Sequence, residues 1–330
     1  MFPSIGTTPV DELRRADLMA IIDAQKAGDK QRTASMLFSD LKQMFSFALD
    51  REYVTSDPMA TAKKARIVGA ATERDRALTT SELTALAAAL PQAGLGERPS
   101  AGIWLLLATG ARIGELMGGI WADSLPRAAP ERRARLEALQ AVADNAGAKF
   151  GIVDLESRTW HLPDTKNQRD HTIWLSDFTL SQLARLRVKR PKLPDSDDLS
   201  PWLFPGRDAR RPLDVKTFGK QLADRQRPAD RRLKGRSKNT GALILEGGRW
   251  TAHDLRRTAG TLMASIAISG DTIDECLNHM IESRVRRTYI RDRREAEQVN
   301  AFNALGVRLQ QVVDGIEVPV HTPQTGRPHH

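Results

Sequence analysis

Hydrophobic periodicity in this 330-residue chain predicts a mainly α-helical protein with one small antiparallel β-sheet, an α+β fold class. Three observations carry that expectation. Large apolar residues recur at helical spacing near both ends of the chain: Leu37, Leu41, Met44, Phe45 and Ala48, and again Phe302, Leu305, Leu309 and Val312. Only three short segments, 151–154, 159–162 and 171–175, are rich in Val, Ile, Thr and Trp, and a polar turn at 164–170 joins the last two as a hairpin. Residues 59–76 hold few large apolar side chains and read as an extended basic linker, which divides the chain into two domains.

In chain order, 11–24 shows a weaker helical pattern on Leu13, Leu18, Ile21 and Ile22, and 31–50 a strong one. After the linker, Thr79 and Glu82 form a capping box that opens a helix running to Leu90, stopped by Pro91. A buried helix-rich stretch at 101–117 and a charged amphipathic helix at 131–145 precede the strands. Helices resume at 177–189 and 214–225. Thr251 and Asp254, at capping-box spacing, start a third group that continues through 271–279 and 283–291. The last amphipathic helix follows, and the Pro-rich tail from Gly315 is expected to be disordered. These boundaries define a helical domain over 1–72, a larger domain over 73–315 and a tail over 316–330.

Fifty Lys+Arg against 41 Asp+Glu leave a net charge of +9, which argues against an acidic-surface enzyme. The single cysteine, Cys276, excludes an intrachain disulfide and the usual thiolate zinc sites, and points to a reducing compartment. The longest apolar run, 101–108, is far short of the roughly 20 residues of a membrane-spanning helix, and the N-terminus has acids where a signal peptide would be apolar. A soluble intracellular protein, with no membrane partner, is expected. Residues 207–238 hold twelve Lys/Arg and four acids, a local excess of +8. That density suits a polyphosphate backbone, whose condensed counterions are released on neutralisation, and equally a solvated basic loop. Tyrosine chemistry has two candidates, Tyr53 and Tyr289.

Four short segments stand out: TGARIGE at 109–115, Thr165-Lys166, HDLRR at 253–257, and LNH at 277–279 followed by Tyr289. Singly, each has an ordinary reading. Arg112 and Glu115 fit a helical surface pair, Lys166 an exposed turn lysine, and His279 a capping residue on an apolar helix carrying Ile273 and Leu277. Yet Arg112 follows an apolar run, where a guanidinium needs an anion. His253 and Arg256 share one face near the positive end of a helix, a place suited to phosphate.

Together, in this order and spacing, the segments resemble the tyrosine recombinases of the phage integrase family, over nearly the whole chain. The family signature is an arginine in a TGxRxxE-type segment, a lysine in a β-hairpin turn, an HxxR pair, a second His or Trp, and a tyrosine nucleophile. Arg112, Lys166, His253, Arg256, His279 and Tyr289 occupy those positions. The segments TAHDLRRTAGTLMA and TKNQRDHTIWLS are also close to the family pattern. The resemblance implies a SAM-like core-binding domain and a catalytic domain forming a C-shaped clamp on DNA. It gives Tyr53, at the end of the core-binding segment, a structural job.

What the resemblance implies chemically agrees with the residue types. Attack on a phosphodiester adds charge to its non-bridging oxygens, so guanidiniums such as Arg112 and Arg256 stabilise the transition state bidentately. His279 would donate to the same oxygens, His253 would take the phenolic proton of Tyr289, and Lys166 would protonate the leaving 5′-oxygen. Glu115 is assigned a supporting role. The 3′-phosphotyrosine link conserves bond energy, so no ATP, metal or other cofactor is expected, and the chain has no GxxxxGK[ST] loop. The implied activity is site-specific integration or excision of a mobile element, a prophage or genomic island. Implied partners are double-stranded DNA, a homotetramer on synapsed DNA that is monomeric or weakly associated when free, and accessory directionality or bending proteins. The implied location is the cytoplasm, at the bacterial nucleoid. Expected DNA contacts are Lys63, Lys64, Arg66, Arg207, Arg210, Arg211, Lys234, Arg236 and Lys238.

Against the family pattern, the N-terminal domain is expected to be truncated or minimal, with two or three helices rather than four or more. Segments 122–150 and 207–249 read as insertions between motifs. The helix at 295–313 resembles the element that family members dock onto a neighbouring protomer. Two other classes remain: a type IB topoisomerase-like enzyme that relaxes DNA, and a catalytically silent DNA-binding relative.

Overall fold

The computed structural model describes residues 2–69, 75–165, 170–279 and 295–316. Lys166, Tyr289, the helix expected at 283–291 and the tail from 317 lie outside them. Backbone contacts divide the chain into two units, 1–74 and 75–330.

In the first unit the described residues form α1 (Phe2–Ile5), α2 (Arg15–Ala27), α3 (Gln31–Asp50) and α4 (Lys64–Val68). These are four helices where two or three were expected. The buried stripe of α3 is Ala34, Phe38, Leu41, Phe45 and Ala48, facing Leu18 and Ile22 of α2. Leu37 and Met44 flank it and are only partly buried, so the stripe is rotated slightly from the expected one and centres on Phe38. The segment expected to be an extended linker is largely structured. Met59, Ala62 and Val68 are buried in this core, and five residues of the segment form α4. Small residues here pack closely rather than unfold, a distinction composition does not carry.

The second unit begins with a clamp. Arg76 Nη1 and Nη2 donate to both carboxylate oxygens of Glu82, at 2.8 and 2.5 Å. Glu82 caps α5 (Thr80–Ala89) by accepting from Thr79 N at 3.0 Å, while Thr79 Oγ1 accepts from Glu82 N at 3.2 Å. It also accepts from the amide of Gly247, 165 residues away, at 2.8 Å. The capping box read from the sequence therefore also holds a local ion pair, with Arg76, and a long-range hydrogen bond, from Gly247. The Arg76 hydrogen bond, above all, lowers the Glu82 pKa to about 2. A folded pKa below the ordinary 4.5 contributes stability that is full above about pH 4.5 and lost as pH falls toward 2. Glu82→Gln is expected to lower urea-unfolding stability by about 3 kcal/mol at pH 7. The difference from wild type should narrow as pH drops below 4.5; a constant gap would show that the carboxylate charge is irrelevant.

Next come α6 (Glu97–Thr109) and α7 (Ile113–Met117), then β1 (Gly119–Trp121), α8 (Ala129–Asn145), β2 (Gly151–Asp154), β3 (Thr159–Leu162) and β4 (His171–Trp174). The sheet order is β1-β2-β3-β4. The expected antiparallel hairpin is present, with Trp160 opposite Ile173 and Leu162 opposite His171. The sheet is nevertheless mixed, because β1 pairs parallel to β2 with Ile120 opposite Ile152. A parallel pair needs a long crossover, and α8 supplies it. Segment 122–150, expected to be an insertion, is thus the crossover of a β-α-β unit. A three-residue strand buried on all sides has no alternation to reveal it.

The remaining described helices are α9 (Asp177–Val188), α10 (Val215–Arg225), α11 (Ala252–Ser265), α12 (Gly270–Cys276) and α13 (Glu295–Val313). α6 is buried along its length from Ala101 and packs against α9 and α11. α13 packs against α5, α6, α9, α11 and α12, burying Phe302, Leu305, Leu309 and Val312. Each such side chain contributes about 1.5–3 kcal/mol. The helix expected to dock on a neighbouring protomer is here part of its own core. Segment 207–249 is likewise tied down: Leu243 and Leu245 are buried, and the Leu243 carbonyl accepts from the indole of buried Trp250 at 3.1 Å. Among the described residues no helix is long and apolar enough to cross a membrane.

Candidate active site

The TGARIGE segment is a sharp turn between two helices. α6 ends at Gly110, whose φ of +60° is left-handed backbone that favours glycine, and a Cβ there would meet Leu277 Cδ2 at 2.4 Å. Thr109 Oγ1 donates to Leu105 O at 2.6 Å and accepts from Ala111 N at 3.2 Å, bracing the turn. Arg112 is the extended N-cap of α7, not a residue on its surface. Its Nη1 donates to Glu115 Oε1 at 2.9 Å, and its backbone N to Oε2 at 2.7 Å. Glu115 is almost fully buried, so this is a fixed pair and not the solvated one a surface spacing suggests.

α11 starts at the Thr251–Asp254 box: Thr251 N donates to Asp254 Oδ2 at 2.8 Å. His253 and Arg256 follow in its first two turns. Arg256, 5% exposed, sends Nη1 to Gly110 O at 2.5 Å and Nη2 to Leu277 O. Both partners are neutral carbonyls at turns, so the guanidinium keeps its charge without a carboxylate on these contacts. Burial, then the charge of Arg112, lowers its pKa to about 10, with Glu115 acting in the opposite direction. It remains charged at neutral pH. Burial of part of the His253 ring and the charges of Arg257, Arg256 and Arg112 depress the His253 pKa below the usual 6.5, only partly offset by Asp254. The imidazole is therefore neutral at pH 7 and able to accept a proton.

His279 does not close a helix. α12 ends at Cys276, and Asn278 takes left-handed backbone at φ 48°. His279 N donates to Asp274 O at 2.8 Å and Asn278 N to Glu275 O at 2.9 Å, a Schellman motif with asparagine in the usual glycine place. The His279 Nδ1 lies 2.9 Å from Asp274 Oδ1. With Nδ1–H held by that carboxylate, Nε2 can donate only when the ring carries both protons.

The structure thus gathers Arg112, Glu115, His253 and Arg256 into one electropositive cluster, with the His279 turn joined to it through Leu277 O. Thr109, Gly110 and Asn278 lie within the segments that stand out in the sequence but have no role assigned there; the structure makes them supports of the two turns. Of the expected DNA contacts, Lys63, Lys64, Arg66, Arg207, Arg210, Arg211, Lys234 and Lys238 are exposed and Arg236 is half-buried; Lys64 donates to Ser39 Oγ at 2.7 Å. Arg210 pairs with Asp195, and Arg236 with Asp224 at 3.1 Å. Arg225, within the same basic stretch, is a buried scaffold residue donating to Ala93 O and Gly94 O. Tyr53 lies past the end of α3, 60% exposed, its ring 6.5 Å from Phe47. Among the described residues no three His, Cys, Asp or Glu side chains form a metal cluster.

One buried guanidinium, Arg256, and one partly buried, Arg112, both held by hydrogen bonds beside the His253 imidazole, make a place suited to a phosphate. Residues 136–296 match the phage integrase family, a range that includes every expected catalytic residue except Arg112, and residues 1–65 match the phage integrase central domain. The fold is shared with a lambda integrase (75–356) dimer bound to a COC′ core site, at 16% identity and TM-score 0.57, covering 88% of this chain and 83% of that one. It is shared with the Tn1549 transposon integrase (aa 82–397) in complex with circular intermediate DNA, at 15% identity and TM-score 0.54, covering 90% and 87%. A lambda integrase tetramer bound to a Holliday junction aligns at 14% identity and TM-score 0.57, covering 86% and 67%. No curated protein matches by sequence. The chain belongs to the phage integrase family of tyrosine recombinases, DNA strand-transferring enzymes of site-specific recombination.

Proposed function

We propose that this protein cleaves and rejoins DNA at a specific site through a 3′-phosphotyrosine intermediate on Tyr289, integrating or excising a mobile element such as a prophage or genomic island. The observation that carries the reading is the cluster of Arg112, Arg256 and neutral His253. Arg256 on its two carbonyls and Arg112 on Glu115 are held in place before any substrate arrives, so little reorganisation is needed when charge develops on the phosphate. Tyr289 Oη attacks phosphorus as His253 takes its proton. The P–O5′ bond breaks, and Lys166 gives a proton to the leaving oxygen. Attack by a 5′-hydroxyl of a second strand runs the same steps in reverse, so no ATP or metal enters the balance.

The first unit is assigned to core-site DNA binding through Lys63, Lys64 and Arg66. Arg207, Arg211, Lys234 and Lys238 are assigned to phosphate contacts in the second. Arg210 and Arg236, already paired with carboxylates, contribute less. Four copies act on synapsed DNA, in the cytoplasm at the nucleoid; the lambda integrase tetramer bound to a Holliday junction supports the number.

The reading is tested by selecting bound duplexes from a randomised library, then nicking the selected site so that a cleaved strand escapes. The expected result is an SDS-stable adduct whose tryptic peptide carries the DNA 3′-phosphate on Tyr289. Absence of an adduct, or a 5′-linked one, overturns it. A pH dependence follows for the same assay. Because the base must be neutral and its pKa is depressed, the acid limb of the single-turnover rate at subsaturating DNA should have its midpoint below pH 6.5. His253→Gln should lower the rate roughly 100-fold and remove that acid limb.

A further inference from the structure

Three consecutive residues at the end of α12 reach three separate parts of the second unit. Cys276 O accepts from His171 Nε2 at 3.2 Å. Leu277 O accepts from Arg256. Asn278 Nδ2 donates to Thr165 Oγ1 at 2.9 Å, across 113 residues of sequence. Thr165 directly precedes Lys166, and His171 is the first residue of β4, so both flanks of segment 166–169 are tied to the turn that also anchors Arg256 and leads into His279.

The choice of asparagine is informative. At φ 48° a glycine would meet the backbone requirement of this C-terminal turn at least as well. What glycine cannot supply is the amide. Its partner Thr165 is 1% exposed, so the hydrogen bond is made away from water, where its loss costs most.

We propose that Asn278 is a positioning residue for strand cleavage: through Thr165 it holds the root of the hairpin that carries Lys166 in register with the Arg256 and His279 side of the site. This rests on the reading of Lys166 as the general acid for the leaving 5′-oxygen. Proton delivery is sensitive to sub-ångström placement of the donor.

The test compares single-turnover cleavage of the selected nicked duplex with that of the same duplex carrying a 5′-bridging sulfur at the scissile phosphate. A thiolate leaves without a proton, so a defect in the general acid disappears on the sulfur substrate. Asn278→Gly and Thr165→Val are each expected to slow the oxygen substrate roughly 10-fold or more, to leave the sulfur substrate at the wild-type rate, and to be no slower when combined. Lys166→Ala provides the reference. If Lys166→Ala is rescued by sulfur but Asn278→Gly cleaves oxygen at the wild-type rate, the positioning role is wrong while the catalytic reading stands. Equal slowing on both substrates, or additive single effects, assigns the pair a structural role and also overturns it. If Lys166→Ala is not rescued, the general-acid reading fails and the positioning role with it. Thr165→Val keeps the test decisive should Asn278→Gly unfold, because it leaves the turn backbone unchanged.

Discussion

Tyr289→Phe is expected to abolish the SDS-stable DNA adduct while leaving duplex binding and the unfolding midpoint unchanged. The substitution removes one oxygen atom, the nucleophile of the proposed reaction, and no other side chain can form a phosphotyrosine at that place. The loss should be at least about 10⁴-fold, the scale on which removing a covalent nucleophile is felt. Composition makes the result unusually clean. The only other tyrosine, Tyr53, belongs to the first unit and lies against Phe47. An adduct that survives in Tyr289→Phe, or that maps to Tyr53, refutes the mechanism. Relaxation of supercoiled plasmid by wild type without any recombinant product would redirect the reading to a topoisomerase-like activity.

Arg256→Lys is the second large effect, and it separates charge from geometry. The guanidinium spans two carbonyls, Gly110 O and Leu277 O, that lie 167 residues apart in sequence, and it is buried while doing so. An ammonium has no planar fork to bridge them and is more strongly hydrated. The variant is expected to lose roughly 100- to 1,000-fold in single-turnover cleavage at saturating DNA, the scale of one lost donor to a developing oxyanion, with a smaller change in affinity. Leaving either carbonyl unsatisfied should also cost about 1–3 kcal/mol in urea unfolding. Arg112→Lys makes the contrast: its partner Glu115 is three residues away on the same turn, so the stability loss should be smaller although catalysis still suffers. Equal stability losses in the two variants would show that the Arg256 anchors are unimportant.

The gathering of catalytic types was legible in the sequence because each motif is local. The Thr79–Glu82 box, the Thr251–Asp254 box and the hairpin flanks 159–162 and 171–174 are set by residues a few positions apart, and the structure contains them. Where a reading failed, the cause was a distant partner. The linker was misread because Met59 and Val68 are buried by side chains of α2 and α3. The parallel strand β1 was missed because its partner β2 lies across a crossover helix. The helix ending at His279 was drawn too long because Ile273 and Leu277 continue the apolar spacing, while the left-handed Asn278 ends it. Six basic residues of one stretch look alike in the sequence; ion pairs with Asp195 and Asp224 set Arg210 and Arg236 apart.

By itself, then, the sequence determined the residue types available for phosphoryl transfer, their order along the chain, the helix starts and the scarcity of tyrosine that makes one substitution decisive. These depend on composition and on contacts within a turn or two. Only the tertiary structure decided that Arg256 rests on two turn carbonyls, that Asn278 reaches Thr165, and that α13 fills its own core. Those contacts join residues tens to hundreds of positions apart, and no local periodicity encodes which distant surface a side chain will meet when the chain closes on itself.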